Sequence, residues 1–299
     1  MTVRQHGQAP ALRFTALGDS LTEGLGDRGP DGTWRGWAAL LAEALGADFR
    51  NLAVSGARTG DVLLTQLPEA RRHRPDLAAV VVGGNDTLRA GFDIRIVARQ
   101  LDTTFGSLAL DGSAVLTACL PDPGTALGLP RALARPLARR MRSVNSVVHA
   151  LSRRYDAVHV HLADAGWTAD PEMWSADRLH PGERGHRALA LAFHTELAAR
   201  GFPVGLAPAA EPDGRAPGRA AKAWWLATRG TQWVAARCTD LLPDLVRLAM
   251  AERRADPAEL DHWAHAETLA ALRALPHLTP RPTGAEAGAE GELTLRQAS

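Results

Sequence analysis

Short apolar runs alternate with longer stretches of helical period along the first two-thirds of this chain. Leu12–Leu17, Phe49–Val54, Leu77–Val82, Ala114–Cys119 and Val158–Leu162 are apolar enough, and short enough, to read as buried strands. Between them, Trp37–Leu45, Ile94–Leu108 and Arg131–Arg154 place apolar residues every three or four positions, the spacing of a helix with one buried face. Strand and helix in alternation imply a parallel sheet covered on both faces by helices. Glu183–Ala199 reads as one more helix, with Pro181 near its first turn, where helices tolerate proline.

The pattern changes after residue 204. Residues 205–220 are rich in Pro, Gly and Ala and read as a linker. Residues 221–278 return to helical spacing: Leu226, Trp233, Leu241, Leu245 and Leu248 alternate with Arg229, Arg237, Asp240, Asp244 and Arg247. Pro243 is expected to start or kink one of these helices. Trp224, Trp225, Trp233 and Trp263 need apolar cover, and the balanced charge favours packing on the same chain over a membrane surface. Residues 279–299 have the composition of a disordered tail. The expected organisation is thus a main domain over 1–204, a linker, a helical extension and a tail.

Composition narrows the function. Lysines and arginines number 34 and acids 33, so the basic excess that nucleic acid binding needs is absent. The sequence lacks an uninterrupted apolar stretch of ~18 residues, which argues against stable membrane insertion. Met1–Leu12 carries no apolar run of signal-peptide length, so a cytoplasmic location is expected. Cys119 and Cys238 read as two separate buried thiols rather than a disulfide.

Four clusters carry candidate chemistry: Gly18–Leu21, Asn51–Gly56, Gly83–Asp86 and Asp177–His180. The first three each follow a predicted strand, so their loops open at one edge of a parallel sheet, where ligands of such sheets bind. Ser20 is a candidate nucleophile, although a serine there also suits a helix N-cap. His180 is a candidate base, and Asp177 is close enough in sequence to orient its ring; the plainer alternative is an ordinary helix entry. Gly56 offers a backbone N–H, Asn85 a side-chain amide and Ser20 its own N–H, three donors suited to an oxyanion, while turn roles would also explain the glycine and the asparagine. Trp34 and Asp86 stand as candidate substrate contacts, with Asp86 reading more readily as a brace for its loop. His159 and His161 face one side of a strand, and His262 and His265 lie one helical turn apart, but neither pair has a companion with ligand spacing, so no metal is expected. The Gly-x-Ser-x-Gly elbow of the α/β-hydrolases is absent.

Taken together, Gly-Asp-Ser-Leu at 18–21, Ser-Gly at 55–56, Gly-Gly-Asn-Asp at 83–86 and Asp-x-x-His at 177–180 resemble the SGNH, or GDSL, hydrolase family. The name-giving Ser, Gly, Asn and His of that family map to Ser20, Gly56, Asn85 and His180. The resemblance implies a three-layer α/β/α sandwich with a five-stranded, flavodoxin-like parallel sheet, and a serine esterase or lipase that needs no cofactor. The small-molecule or lipid-like ester expected as substrate is not specified further. Carbohydrate O-deacetylase, thioesterase and acyltransferase activities would use the same residues. A binding or scaffold protein acting through the Trp-rich C-terminal helices is the reading from a different class. Oligomeric state is open.

Overall fold

A computed structural model describes residues 11–29, 32–213 and 242–276 of the chain. Five parallel strands form one sheet in the order β2-β1-β3-β4-β5: β1 is Arg13–Gly18, β2 Asp48–Asn51, β3 Leu77–Val81, β4 Ala114–Ala118 and β5 Val158–Val160. β3 is buried at every position, as expected of a central strand covered on both faces. β2, at the edge, is mostly exposed and shorter than its apolar run suggested. The run breaks because the Asn51 side chain turns back: its amide donates to the Thr22 carbonyl at 2.9 Å and its oxygen accepts from Ala53 N–H at 3.1 Å. Val54 is left 58% exposed.

The helices follow in chain order: α1 Ser20–Glu23, α2 Gly36–Leu45, α3 Thr59–Asp61, α4 Leu67–His73, α5 Gly84–Thr87, α6 Ile94–Leu110, α7 Pro123–Ala126, α8 Arg131–Arg154, α9 Glu183–Ala199, α10 Leu242–Glu252 and α11 Pro257–Arg273. A π-helical turn, Val62–Gln66, joins α3 to α4. The sheet with its helical layers is the α/β architecture that the alternating pattern predicts. Trp37 of α2 and Phe193 of α9 stack with ring centroids 4.7 Å apart and belong to the main core.

Beside α9, a network of ion pairs fixes the chain. Arg35 contacts Asp27 at 3.1 Å, Glu183 at 2.9 Å and Asp213 at 2.7 Å, and Arg187 contacts the same Glu183 and Asp213. Residues 205–213 are thereby held along α2 and α9, helped by the bond from Gly205 N–H to the Ala44 carbonyl at 3.1 Å. His186 accepts from Trp37 N–H at 3.2 Å through Nδ1, and its Nε2 donates to the Leu25 carbonyl at 2.9 Å. Burial holds this imidazole down at about 4, which is the neutral form those two bonds require.

α10 packs on α8, and α11 on α6 and α8. Leu245 joins a small apolar cluster with Leu88 and Leu137, and Ala271 and Leu275 enter the main core. Arg139 spans the junction, at 2.6 Å from Glu252 and 2.7 Å from Asp261. Pro243 stands at the start of α10, where the missing N–H costs nothing. Trp263 is 64% exposed, contrary to the expected cover. Trp224, Trp225, Trp233, Leu226, Leu241 and Cys238 lie outside the described residues, as do the second half of the expected linker, from residue 214, and the tail.

Candidate active site

The loops after β1 and β3 meet at one edge of the sheet, and the two strands could approach no closer there. Gly18, at φ +154°, pairs with Val81, and a side chain on it would bring a Cβ to 2.3 Å from the Val81 carbonyl oxygen. Gln66, in the π turn, grips the same residue: its Oε1 accepts from Gly18 N–H at 2.8 Å and its Nε2 donates to the Gly18 carbonyl at 2.9 Å. Asp19 then caps α1 by accepting from Leu21 N–H at 3.1 Å. Ser20 is therefore the first helical residue rather than the cap, and it faces the cleft with its hydroxyl uncommitted to capping.

Ser20 Oγ lies 2.7 Å from His180 Nε2, and His180 Nδ1 lies 2.7 Å from Asp177 Oδ2. The other carboxylate oxygen of Asp177 accepts from Ser175 Oγ at 2.6 Å, Leu179 N–H at 2.9 Å and His180 N–H at 3.0 Å. Burial alone would push the Asp177 carboxyl up, but the hydrogen bond and charge of His180, with the backbone and Ser175 donors, outweigh it and hold the group at about 2. A carboxylate ionised at every ordinary pH fixes the tautomer that leaves Nε2 free to take a proton from the serine.

Asn85 and Gly56 come to the same region by different routes. Asn85 Nδ2 donates to the Ala57 carbonyl at 3.1 Å and to Asp19 Oδ2 at 3.3 Å, so both hydrogens of the amide are engaged by the surrounding loops. Gly56 sits in an exposed turn at φ +82° with open space where a side chain would point, so the turn itself calls for glycine. Asp86 does brace its loop: it accepts from Thr59 Oγ1 at 2.7 Å and Thr59 N–H at 3.1 Å, and it does not line the cleft. Burial pushes Asp19 up to about 6, against the lowering hydrogen bond from Leu21 and the charge of His180.

Beside Ser20 the cleft wall is apolar: Leu88, Leu120, Pro121, Pro123, Ala126, Met141, Leu162, Trp167 and Trp174. Trp34 is not part of it; it lies 37% exposed beneath the Arg28 guanidinium, 4.1 Å from its ring centroid. Trp167 and Trp174 occupy the place that Trp34 was expected to fill. They precede the Asp177–His180 cluster in a stretch without helix or strand period, and that position was their one signal. Gln66 gave less warning still, because a single polar residue in a helical run reads as surface. His262 and His265 belong to α11, whereas His159 and His161 gather with His149 and Cys119, the one group of four potential metal ligands among the described residues.

Comparison with known proteins bears on the family and the fold. Residues 16–188, more than half of the chain, match the family described as GDSL-like Lipase/Acylhydrolase. A curated lipase of Streptomyces rimosus is 39% identical over 90 residues, 27% of this chain, and the chain covers 32% of that lipase's length. Among solved structures, a GDSL-like lipase from Parabacteroides merdae superposes with a TM-score of 0.53 at 15% identity, covering 63% of this chain and 96% of that one. A lipase/acylhydrolase from Enterococcus faecalis gives 0.51 at 19% identity, covering 63% and 97%. At such identities the likeness is one of fold. No helix among the described residues is long and apolar enough to cross a membrane.

Proposed function

This chain belongs to the GDSL-like lipase/acylhydrolase family, a family of hydrolases, and from that premise we propose that it cleaves a carboxylic ester through a covalent acyl-enzyme on Ser20. The observation that carries the reading is the unbroken hydrogen-bonded line Asp177–His180–Ser20, with both links at 2.7 Å. His180 Nε2 takes the hydroxyl proton as Ser20 Oγ attacks the ester carbonyl. Asp177 stabilises the imidazolium that results. The oxyanion accepts from the Ser20 and Gly56 N–H groups and from Asn85, whose amide yields the longer of its two contacts, that to Asp19. Collapse expels the alcohol, which leaves with the proton held by His180. Water then enters, loses a proton to the same nitrogen and releases the acid, restoring Ser20.

The apolar wall of Leu120, Met141, Leu162, Trp167 and Trp174 supports an acyl group of hydrocarbon character as the part of the substrate it receives. Turnover of short- and long-chain aryl esters by the wild type and by Ser20→Ala tests the whole reading. The wild type should turn over, with preference for the apolar acyl chains, and a serine-directed phosphonate should label Ser20 alone. Labelling elsewhere, or equal turnover by Ser20→Ala, would remove Ser20 from the mechanism.

A further inference from the structure

Away from Ser20, the fold assembles four side chains that no step of ester cleavage uses. Cys119 follows β4, His159 lies in β5, His161 comes directly after it, and His149 is carried by α8, which packs on both strands. One donor atom from each lies within 4.8 Å of the others. The three imidazole rings have centroids 4.7 to 5.2 Å apart. Two of them carry a telling defect: Nε2 of His149 and Nε2 of His159 are buried and have no hydrogen-bond partner. A buried nitrogen that has given up water without a replacement costs stability, and two such atoms in one cluster of ligand side chains require an explanation.

Hydrogen-bond bookkeeping around His159 supplies the orientation. Ser152 Oγ donates to the Val148 carbonyl at 2.7 Å, so the Thr117 hydroxyl, 2.7 Å from Ser152 Oγ, donates to it. Thr117 Oγ1 is then the acceptor for His159 Nδ1–H at 2.8 Å. This assignment satisfies every contact and leaves His159 Nε2 as a bare lone pair. A ring held through one nitrogen so that the other presents a lone pair to its neighbours is the arrangement of a metal-binding histidine. On the remaining side, Cys119 Sγ accepts from Ala163 N–H at 3.4 Å, a bond that becomes stronger on a thiolate.

We propose that Cys119, His149, His159 and His161 form a closed, structural site for a divalent metal ion of the zinc class. Three imidazole nitrogens and one thiolate complete a tetrahedron without an open position, which suits structure rather than catalysis. Bond lengths of about 2.0–2.3 Å place tetrahedral donors about 3.3–3.6 Å apart, so the ligands close in by roughly 1 Å on binding. His161 is exposed and gives the ion its way in. Binding expels the thiol proton of Cys119 to solvent as the metal–sulfur bond forms. The ion joins three separate pieces of chain. Leu120 and Pro121, next to Cys119, and Leu162, next to His161, line the cleft, so the metal clamps the two loops that build its wall.

The test is a titration of the full chain, stripped with chelator, using cobalt(II) and zinc(II). Cobalt should give a thiolate-to-metal charge-transfer band saturating at one ion per chain, zinc should displace it, and zinc should raise the melting temperature. Cys119→Ser should lose the band, and His149→Ala and His159→Ala should lose tight binding. Thr117→Val, which keeps every ligand but removes the orienting acceptor, should weaken binding by about 10–100-fold. Absence of a saturable cobalt band in the wild type would overturn the site. Equal metal affinity in the wild type and in His149→Ala/His159→Ala would overturn it as well. None of these readouts depends on ester turnover.

Discussion

At the scale of single residues, two buried carboxyls beside the same imidazole are driven in opposite directions. Asp177 has four contacts that favour its charge and stays ionised at about 2, whereas Asp19, buried with fewer donors, rises to about 6. For Asp19 the folded value exceeds the ordinary value of about 3.9, so the fold binds this proton more tightly than the unfolded chain does. Its contribution to stability is complete below about pH 4 and is lost as pH rises to about 6, a change of about 3 kcal/mol. The melting temperature of the wild type relative to Asp19→Asn should therefore fall between pH 4 and 6 and level off above. A pH-independent difference would show that Asp19 does not titrate there. Ser20, His180 and Asp177, which the fold joins by hydrogen bonds, were legible as candidates in the sequence because the proposed chemistry demands particular side chains in short clusters, Asp177 and His180 being only three apart. Trp34 misled for the converse reason: proximity to Ser20 in the chain is no measure of distance once Gly24 and Gly36 fold that loop back toward α2.

At the scale of elements, apolar runs revealed β1, β3, β4 and β5, since buried parallel strands leave little room for polar residues, while β2, an exposed edge of Asp-Phe-Arg-Asn, overlaps its run over three residues only. The helices Arg131–Arg154 and Glu183–Ala199 match their predicted bounds for a related reason, the sharp stop that Pro130 and Gly182 put before them. The π turn was hidden. An extra residue in a helical run leaves the apolar spacing nearly intact, and its effect appears only through Gln66, swung inward onto Gly18. Gln66→Leu keeps the size of the side chain but strands the Gly18 N–H, while the Gly18 carbonyl keeps the Val54 N–H at 3.2 Å. The unsatisfied N–H should cost about 1–3 kcal/mol of stability. The substitution should also lower kcat more than it raises KM, because Ser20 sits two residues beyond the grip. A variant with the wild-type melting temperature and kcat would show that Gly18 needs no such hold. His149 was equally hidden, brought to its cluster by helix packing that no spacing within the sequence records.

At the scale of the whole molecule, the C-terminal helices are built into the part of the fold that carries Ser20 rather than appended to it. Leu245 packs with Leu88, a residue of the cleft wall, while Ala271 and Leu275 fill the main core. Arg139, nearly buried, would lose Glu252 and Asp261 together. A chain ending at Asp213 should unfold at lower denaturant than the full chain. Loss of buried leucine contacts at about 2–5 kcal/mol each is enough to make the fold marginal. The fraction that remains folded should still react with phosphonate at Ser20. Unchanged stability in that shortened chain would mean that α10 and α11 rest on the surface without supporting it.

The hydrogen bond between Ser20 and His180 joins residues 160 positions apart. At synthesis rates of about 5–20 residues per second, roughly 8–30 s separate the appearance of the hydroxyl from that of the imidazole. Throughout that interval the nascent chain carries an ordinary serine, no more nucleophilic than any other. On the proposed mechanism, reactivity begins only once the ribosome has released β5 and the loop beyond it and His180 has reached Ser20.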